Sequence, residues 1–200
     1  MKILVIGGNG TIGNRVVSHL KSENYEVIIA GRSSGDVTVD MTDSNSIAAM
    51  FDTVGNLDSV VSIAGEAKWD DFENLSEEDF YVGIKSKLMG QVNLCRIGIP
   101  YLNPEGSITL STGILADDPV AKTTSAAMVN GALHSFVKAL ALELKDGKRV
   151  NAVALGLVED AYEKYKAFFP GHNPLPTPRV INAYIKAILG KNNGEVIRDY

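Results

Sequence analysis

The chain has 200 residues, 45% hydrophobic and 22% charged, with a mean hydropathy of +0.04. That length suits one domain with a sizeable core, and no apolar run approaches the ~18–20 residues a bilayer-spanning helix needs. Nineteen basic against 24 acidic residues give a net charge of −5 with no long block of either sign, so nucleic acid has no basic face to dock on. A single cysteine, Cys95, excludes an internal disulfide, and its apolar helical surroundings read as packing. Met1–Ile6 runs straight into glycines without a signal-peptide pattern, which predicts a cytoplasmic protein.

Short β-branched runs alternate with helical periodicity, the pattern of βαβ units around a parallel sheet. The first strand is predicted at Lys2–Ile6, followed by Gly7-Gly8-Asn9-Gly10-Thr11-Ile12-Gly13 and a helix over 11–22. In the order strand, glycine turn, helix, the backbone turns sharply and approaches a pyrophosphate, whose charge sits on N–H groups at the helix start. Gly7, Asn9, Gly10, Thr11, Ile12 and Gly13 are therefore candidate contacts to a dinucleotide. The second strand, Glu26–Ala30, runs into Gly31-Arg32-Ser33-Ser34. NAD-binding chains place a carboxylate there for the ribose hydroxyls. Arg32 with Ser33 and Ser34 suits a 2′-phosphate, so NADP(H) is the expected cofactor.

Further strands are predicted at Val37–Val39, Ser59–Ile63, Ser107–Leu110, Val150–Ala154 and Glu195–Arg198, separated by helices over 44–54, 76–98, 124–145, 158–168 and 178–190. The helix over 124–145 has the clearest stripe: Val129, Leu133, Phe136, Val137, Leu140, Ala141 and Leu144 recur at three- and four-residue spacing. Four prolines within 170–178 predict a loop between the last two helices. Most strands are nearly continuous Val, Ile and Leu, as strands covered on both faces are. The expected architecture is a single-domain, doubly wound α/β Rossmann fold.

Further segments extend the pattern: Asp40-Met41-Thr42-Asp43, Ser62-Ile63-Ala64-Gly65, Ile108-Thr109-Leu110-Ser111-Thr112-Gly113, Leu140-Ala141-Leu142-Glu143-Leu144 and Arg149-Val150-Asn151-Ala152-Val153-Ala154-Leu155-Gly156. Together with the glycine turn they resemble the short-chain dehydrogenase/reductase family over almost the whole chain. The resemblance implies a sheet of about seven strands in the order 3-2-1-4-5-6-7, with Asp40 and Met41 against an adenine. It adds Ala64, Gly65, Asn130, Gly156 and Val158 to the expected cofactor contacts. It also implies a small carbonyl or alcohol as substrate, and a homodimer or homotetramer paired through helices 76–98 and 124–145. The chain is shorter than the family's usual core, which implies trimmed substrate loops.

The departure from the family lies in the catalytic pair. Counting back from Leu142-Glu143-Leu144 puts the family's proton-donating Tyr and its Lys on Ala126 and Asn130, and no tyrosine occurs between Tyr101 and Tyr162. The family's helix asparagine falls on Lys87. Two literal Tyr-x-x-x-Lys matches exist: Tyr81/Lys85 stands in the wrong part of the fold, and Tyr162/Lys166 reads as an amphipathic surface helix or, in the segment that the resemblance places over the substrate, as reaching the pocket. Ser111, Thr112, Ser125 and Lys87 remain as candidates for the chemistry. The hydroxyls would hold a carbonyl, and an ammonium in a partly dry pocket would be its proton source. Losing a general acid removes ~10²–10⁴ in rate, whereas positioning supplies ~7–11 kcal/mol, so the chemistry would be weakened rather than lost. His19, His134 and His172 lack metal-ligand spacing. Trp69 reads as an exposed loop or lid residue, and Asp117-Asp118 as facing a polar ligand or solvent. The expectation is an NADP(H)-dependent oxidoreductase with a non-standard site. The alternative is a catalytically silent NADP(H)-binding protein, a sensor or scaffold.

Overall fold

A computed structural model describes residues 1–200. Its strands are β1 (Lys2–Ile6), β2 (Glu26–Gly31), β3 (Val37–Thr38), β4 (Leu57–Ser62), β5 (Leu102–Gly113), β6 (Arg149–Leu155) and β7 (Val196–Asp199). They form one seven-stranded sheet in the order β3-β2-β1-β4-β5-β6-β7, and every pair is parallel. The helices are α1 (Thr11–Ser22), α2 (Ser44–Val54), α3 (Glu77–Gly83), α4 (Gly90–Gly98), α5 (Thr124–Leu140), α6 (Glu159–Tyr165) and α7 (Thr177–Leu189). The strand order reverses between β1 and β4. A crevice therefore opens at the carboxyl ends of these strands, the place where open α/β sheets bind ligands.

Strand alternation builds a core on each face. Along β1, Leu4 and Ile6 join one cluster with Phe51, Leu94, Ile108 and Leu133, under α2, α4 and α5. Ile3 and Val5 join the other with Val16, Leu20, Tyr184 and Ile188, under α1 and α7. Both faces of the strand are apolar because both are buried, which explains its unbroken Ile-Leu-Val-Ile sequence.

Two helices differ from their periodicity. The helix expected to reach residue 145 ends at Leu140, and its chain continues as tight turns, with Leu142 N–H donating to Ala139 O and Glu143 N–H to Leu140 O. Asp146 and Gly147, both at positive φ, reverse the chain into β6. Ala141 and Leu144 keep their apolar spacing because those turns pack on the same core. The helix expected over 76–98 is interrupted by a wide π-helical turn, Ile84–Met89, between α3 and α4. The proline-rich segment is a loop as expected, and its end starts α7, with Pro178 in the first turn, where a missing N–H costs nothing.

Candidate functional site

The glycine turn wraps the end of β1 so closely that Gly7 and Gly13 have no room for a side chain. Gly7 has φ +80°, and a Cβ there would stand 2.5 Å from the Ile63 carbonyl oxygen; one on Gly13 would overlap the Gly7 carbonyl. Gly10 N–H closes the turn on Gly7 O at 3.0 Å. The start of α1 carries no side-chain cap and no acidic residue in its first turn, so its N–H groups and positive dipole end face outward, a seat for an anion. Asn9 Nδ2 donates to Ser34 Oγ at 3.0 Å, tying this turn to the loop after β2. Arg32 contacts Glu66 at 3.3 Å, with side chains 66% and 62% exposed. Such a pair is worth ~0–1 kcal/mol, little enough for Arg32 to exchange it for a phosphate. Asp40 accepts from the Thr42 N–H and hydroxyl, which hold its carboxyl below the usual range, with Arg32 adding a smaller pull.

Beyond the turn, a cavity of about 410 Å³ opens at the carboxyl ends of the central strands. It brings together Ile12, Ala64, Gly65, Lys87, Ser111, Thr112, Asn130, Gly156 and Val158 from the sequence expectations. Arg32, Ser33, Ser34, Asp40 and Met41 lie outside its lining, near the outer strands. Ser125 is also outside, fully buried with an unpartnered hydroxyl. Ala126 and Asn130, the two positions counted as the family's Tyr and Lys, both line the cavity. Asn130 is 3% exposed and its Oδ1 has no hydrogen-bond partner, an acceptor held ready in the wall.

Lys87 enters from the π-helical turn, the kind of local widening that often accompanies functional sites. Gly65, at φ +111°, lets β4's extension pass against it; a Cβ there would come 2.8 Å from Lys87 Cα. The ammonium has no carboxylate partner, and desolvation lowers its pKa to about 8. Gln91 fixes the neighbourhood: its Nε2 donates to Lys87 O at 3.1 Å and Ser111 O at 3.0 Å, and its Oε1 accepts from Ser111 N–H at 2.8 Å.

Ser111 and Thr112 are adjacent on β5, so the pleat sends them to opposite faces. Ser111 Oγ donates its proton to Ser62 O and accepts from Tyr184 of α7 at 2.7 Å. Burial pushes the Tyr184 phenol up to about 12. Thr112 Oγ1 lies 2.9 Å from His134 Nε2 on α5 and 3.3 Å from Val153 O. Tyr184 and His134 were missed as site residues because they stand 73 and 22 positions from their partners. The available signal was a hydroxyl or imidazole within the apolar stripe of a core helix.

The apolar wall of the cavity includes Ile114, Leu115, Leu157, Phe169 and Trp69. Trp69 lies in a loop but is partly buried in this wall, its ring packed 5.4 Å from Tyr165 and 6.3 Å from Phe168. Asp117 faces Arg198 and Tyr200 instead of the cavity. Tyr81 is 42% exposed with Lys85 over its ring, and neither Tyr162 nor Lys166 reaches the cavity.

A family model described as enoyl-(acyl carrier protein) reductase matches residues 10–171. Among curated relatives, an uncharacterized oxidoreductase of Bacillus subtilis, DltE, is 30% identical over 165 residues, 72% of this chain and 66% of its own. Among solved structures, protein lin1944 from Listeria innocua superposes with a TM-score of 0.97 at 44% identity over the full length of both chains. A small-chain dehydrogenase in complex with NADPH follows at TM-score 0.88 and 29% identity, covering 100% of this chain and 96% of its own.

Proposed function

Because the chain belongs to the short-chain dehydrogenase/reductase family, we propose that it is an NADP(H)-dependent oxidoreductase acting on a small carbonyl or alcohol through a site without the family's Tyr/Lys pair. The observation that carries this reading is a glycine turn, with no room for a Cβ at Gly7 or Gly13, set beside a cavity that presents Lys87, Thr112 and Asn130. The residues fit the cofactor. Gly7, Asn9, Gly10, Thr11, Ile12 and Gly13 would offer backbone to a pyrophosphate; Arg32, Ser33 and Ser34 would suit a 2′-phosphate; Asp40 and Met41 would border the adenine. Ala64, Gly65, Asn130, Gly156 and Val158 would hold the nicotinamide end, where the Asn130 carbonyl, unpartnered in the wall, would accept a hydroxyl of the cofactor. The NADPH bound by the 29%-identical neighbour supports the same choice.

When bound, the reduced nicotinamide supplies a hydride. Lys87, its ammonium desolvated so that its pKa falls to about 8, would stabilise the charge that develops on the substrate oxygen. Thr112 offers a hydroxyl from the cavity wall. Ser111 and Ser125 contribute shape rather than protons, since the first is committed to Ser62 and the second lies beneath the lining. The apolar walls favour a small, largely apolar substrate. The test is NADPH consumption across a panel of small ketones and aldehydes. Arg32→Ala should raise the KM for NADPH about tenfold or more while leaving NADH use nearly unchanged; equal effects on both would remove the NADP assignment.

A further inference from the structure

His134 is an almost buried titratable group, its side chain 8% exposed, that the chemistry above leaves unused. It stands between a cavity-lining hydroxyl and a surface carboxylate. Its Nε2 is 2.9 Å from Thr112 Oγ1, and its Nδ1 is 3.9 Å from Asp117 Oδ2. Asp117 is fixed in turn by Arg198, whose Nε and Nη2 lie 2.9 and 3.3 Å from its oxygens, and by the Tyr200 hydroxyl. We propose that Thr112 and His134 form a proton relay between the cavity and solvent, with Thr112 as the catalytic hydroxyl, His134 recharging it and Asp117 orienting the imidazole. The proposal rests on the oxidoreductase reading and names a proton path within it.

Hydrogen-bond polarity sets the direction of the relay. Asp117 is an acceptor only, so it favours the imidazole tautomer with N–H on Nδ1 and leaves Nε2 bare. At 3.9 Å this preference is electrostatic rather than a direct hydrogen bond. Thr112 has one proton and two acceptors within reach, His134 Nε2 at 2.9 Å and Val153 O at 3.3 Å, and the nearer, better base takes it. The lone pairs of Thr112 then remain for an alcohol in the cavity.

In oxidation, the alcohol O–H proton passes to Thr112 Oγ1 while Thr112's own proton passes to His134 Nε2. The C–H pair leaves as the hydride that the oxidised nicotinamide accepts, and the C=O bond forms. One alcohol thus yields one hydride and one proton, and His134 becomes an imidazolium beside Asp117. Reduction is the reverse, with Thr112 donating to the oxygen that Lys87 stabilises. Burial, Arg198 and Lys138 disfavour the imidazolium and outweigh the attraction of Asp117, so His134 titrates below its usual range. The proton is therefore lost to solvent rather than stored, while Asp117, which Arg198 and Tyr200 hold down to about 2, stays ionised and orients the ring.

Nitrogen-15 NMR of histidine-labelled protein tests the relay without any turnover. The expected result is a neutral His134 carrying its proton on Nδ1, with both tautomer balance and titration midpoint changed by Thr112→Val and preserved by Thr112→Ser. An Nε2–H tautomer, or no response to Thr112→Val, would overturn the relay. Kinetics supply the second readout, with NADP⁺ and a panel of small secondary alcohols. His134→Gln should lower kcat by ~10²–10⁴, change KM little, and remove the inflection that coincides with the His134 midpoint. NADP⁺-dependent thermal stabilisation confirms that this variant is folded. An unchanged kcat and pH profile in His134→Gln would sink the relay and leave the oxidoreductase reading standing. No turnover of any alcohol or carbonyl by the unmodified chain would count against that reading, and the nitrogen shifts would then decide on the relay alone.

Discussion

Lys87 sits where the family resemblance places an asparagine, and the fold leaves its ammonium in an apolar wall with no carboxylate to balance it. Desolvation is the whole cause of its pKa falling to about 8. The sign of the linkage follows: between about 8 and 10.5 the unfolded chain binds the extra proton, so stability rises with pH across that window. Replacing Lys87 by Met should stabilise the protein at pH 7, with the gain shrinking as the pH climbs through that window in thermal melts. The same variant should slow carbonyl reduction by ~10²-fold or more. A variant no more stable at pH 7 and equally active would show that Lys87 is an ordinary solvated lysine. At this scale the sequence was informative about residue type and poor at direction. Ser111 and Thr112 looked interchangeable, and only the pleat of β5 separates a hydroxyl committed to Ser62 and Tyr184 from one that faces His134.

Among the elements, the turn between β1 and α1 was fully legible because its requirements are local. Glycines at 7 and 13 are dictated by contacts within the turn or with the adjoining end of β4, and such constraints appear directly in sequence. Gly13→Ala should therefore weaken NADPH binding about tenfold or more, read by calorimetry, while far-ultraviolet circular dichroism stays unchanged. Full affinity in that variant would place the cofactor elsewhere. The π-helical turn at Ile84–Met89 was not legible. Periodicity of 3.6 survives on either side of it, and the extra residue that rotates Lys87 toward the cavity is stabilised by the packing of Gly65 and the Gln91 bridge to β5. The overlong reading of α5 has a related cause: apolar spacing reports which residues face the core, and the turns at Ala141 and Leu144 face it without being helical.

For the molecule as a whole, the alternating element pattern and the apolar strands carried the parallel sheet and its two-sided packing, while the strand order came from the family resemblance. What they could not carry was the meeting of distant elements at the crevice, which is where Tyr184 and the Thr112–His134 contact arise. Apolar side chains also remain uncovered on the helices that the resemblance assigns to subunit pairing. Tyr81, Val82, Met89 and Met128 are 40–44% exposed, and we expect a homodimer or homotetramer through that face. Light scattering should give at least twice the chain mass, and Val82→Arg with Met128→Arg should give the monomer. A monomeric native chain at micromolar concentration would contradict the expectation. We propose hydride transfer at a site whose proton chemistry does not use a Tyr/Lys pair. NADPH carrying deuterium at both C4 positions, incubated with the chain and a panel of small carbonyl compounds, checks this transfer. An alcohol bearing deuterium on its carbinol carbon is the expected product. NADPH that raises the melting temperature yet delivers deuterium to no product would contradict it and leave a binding protein without chemistry.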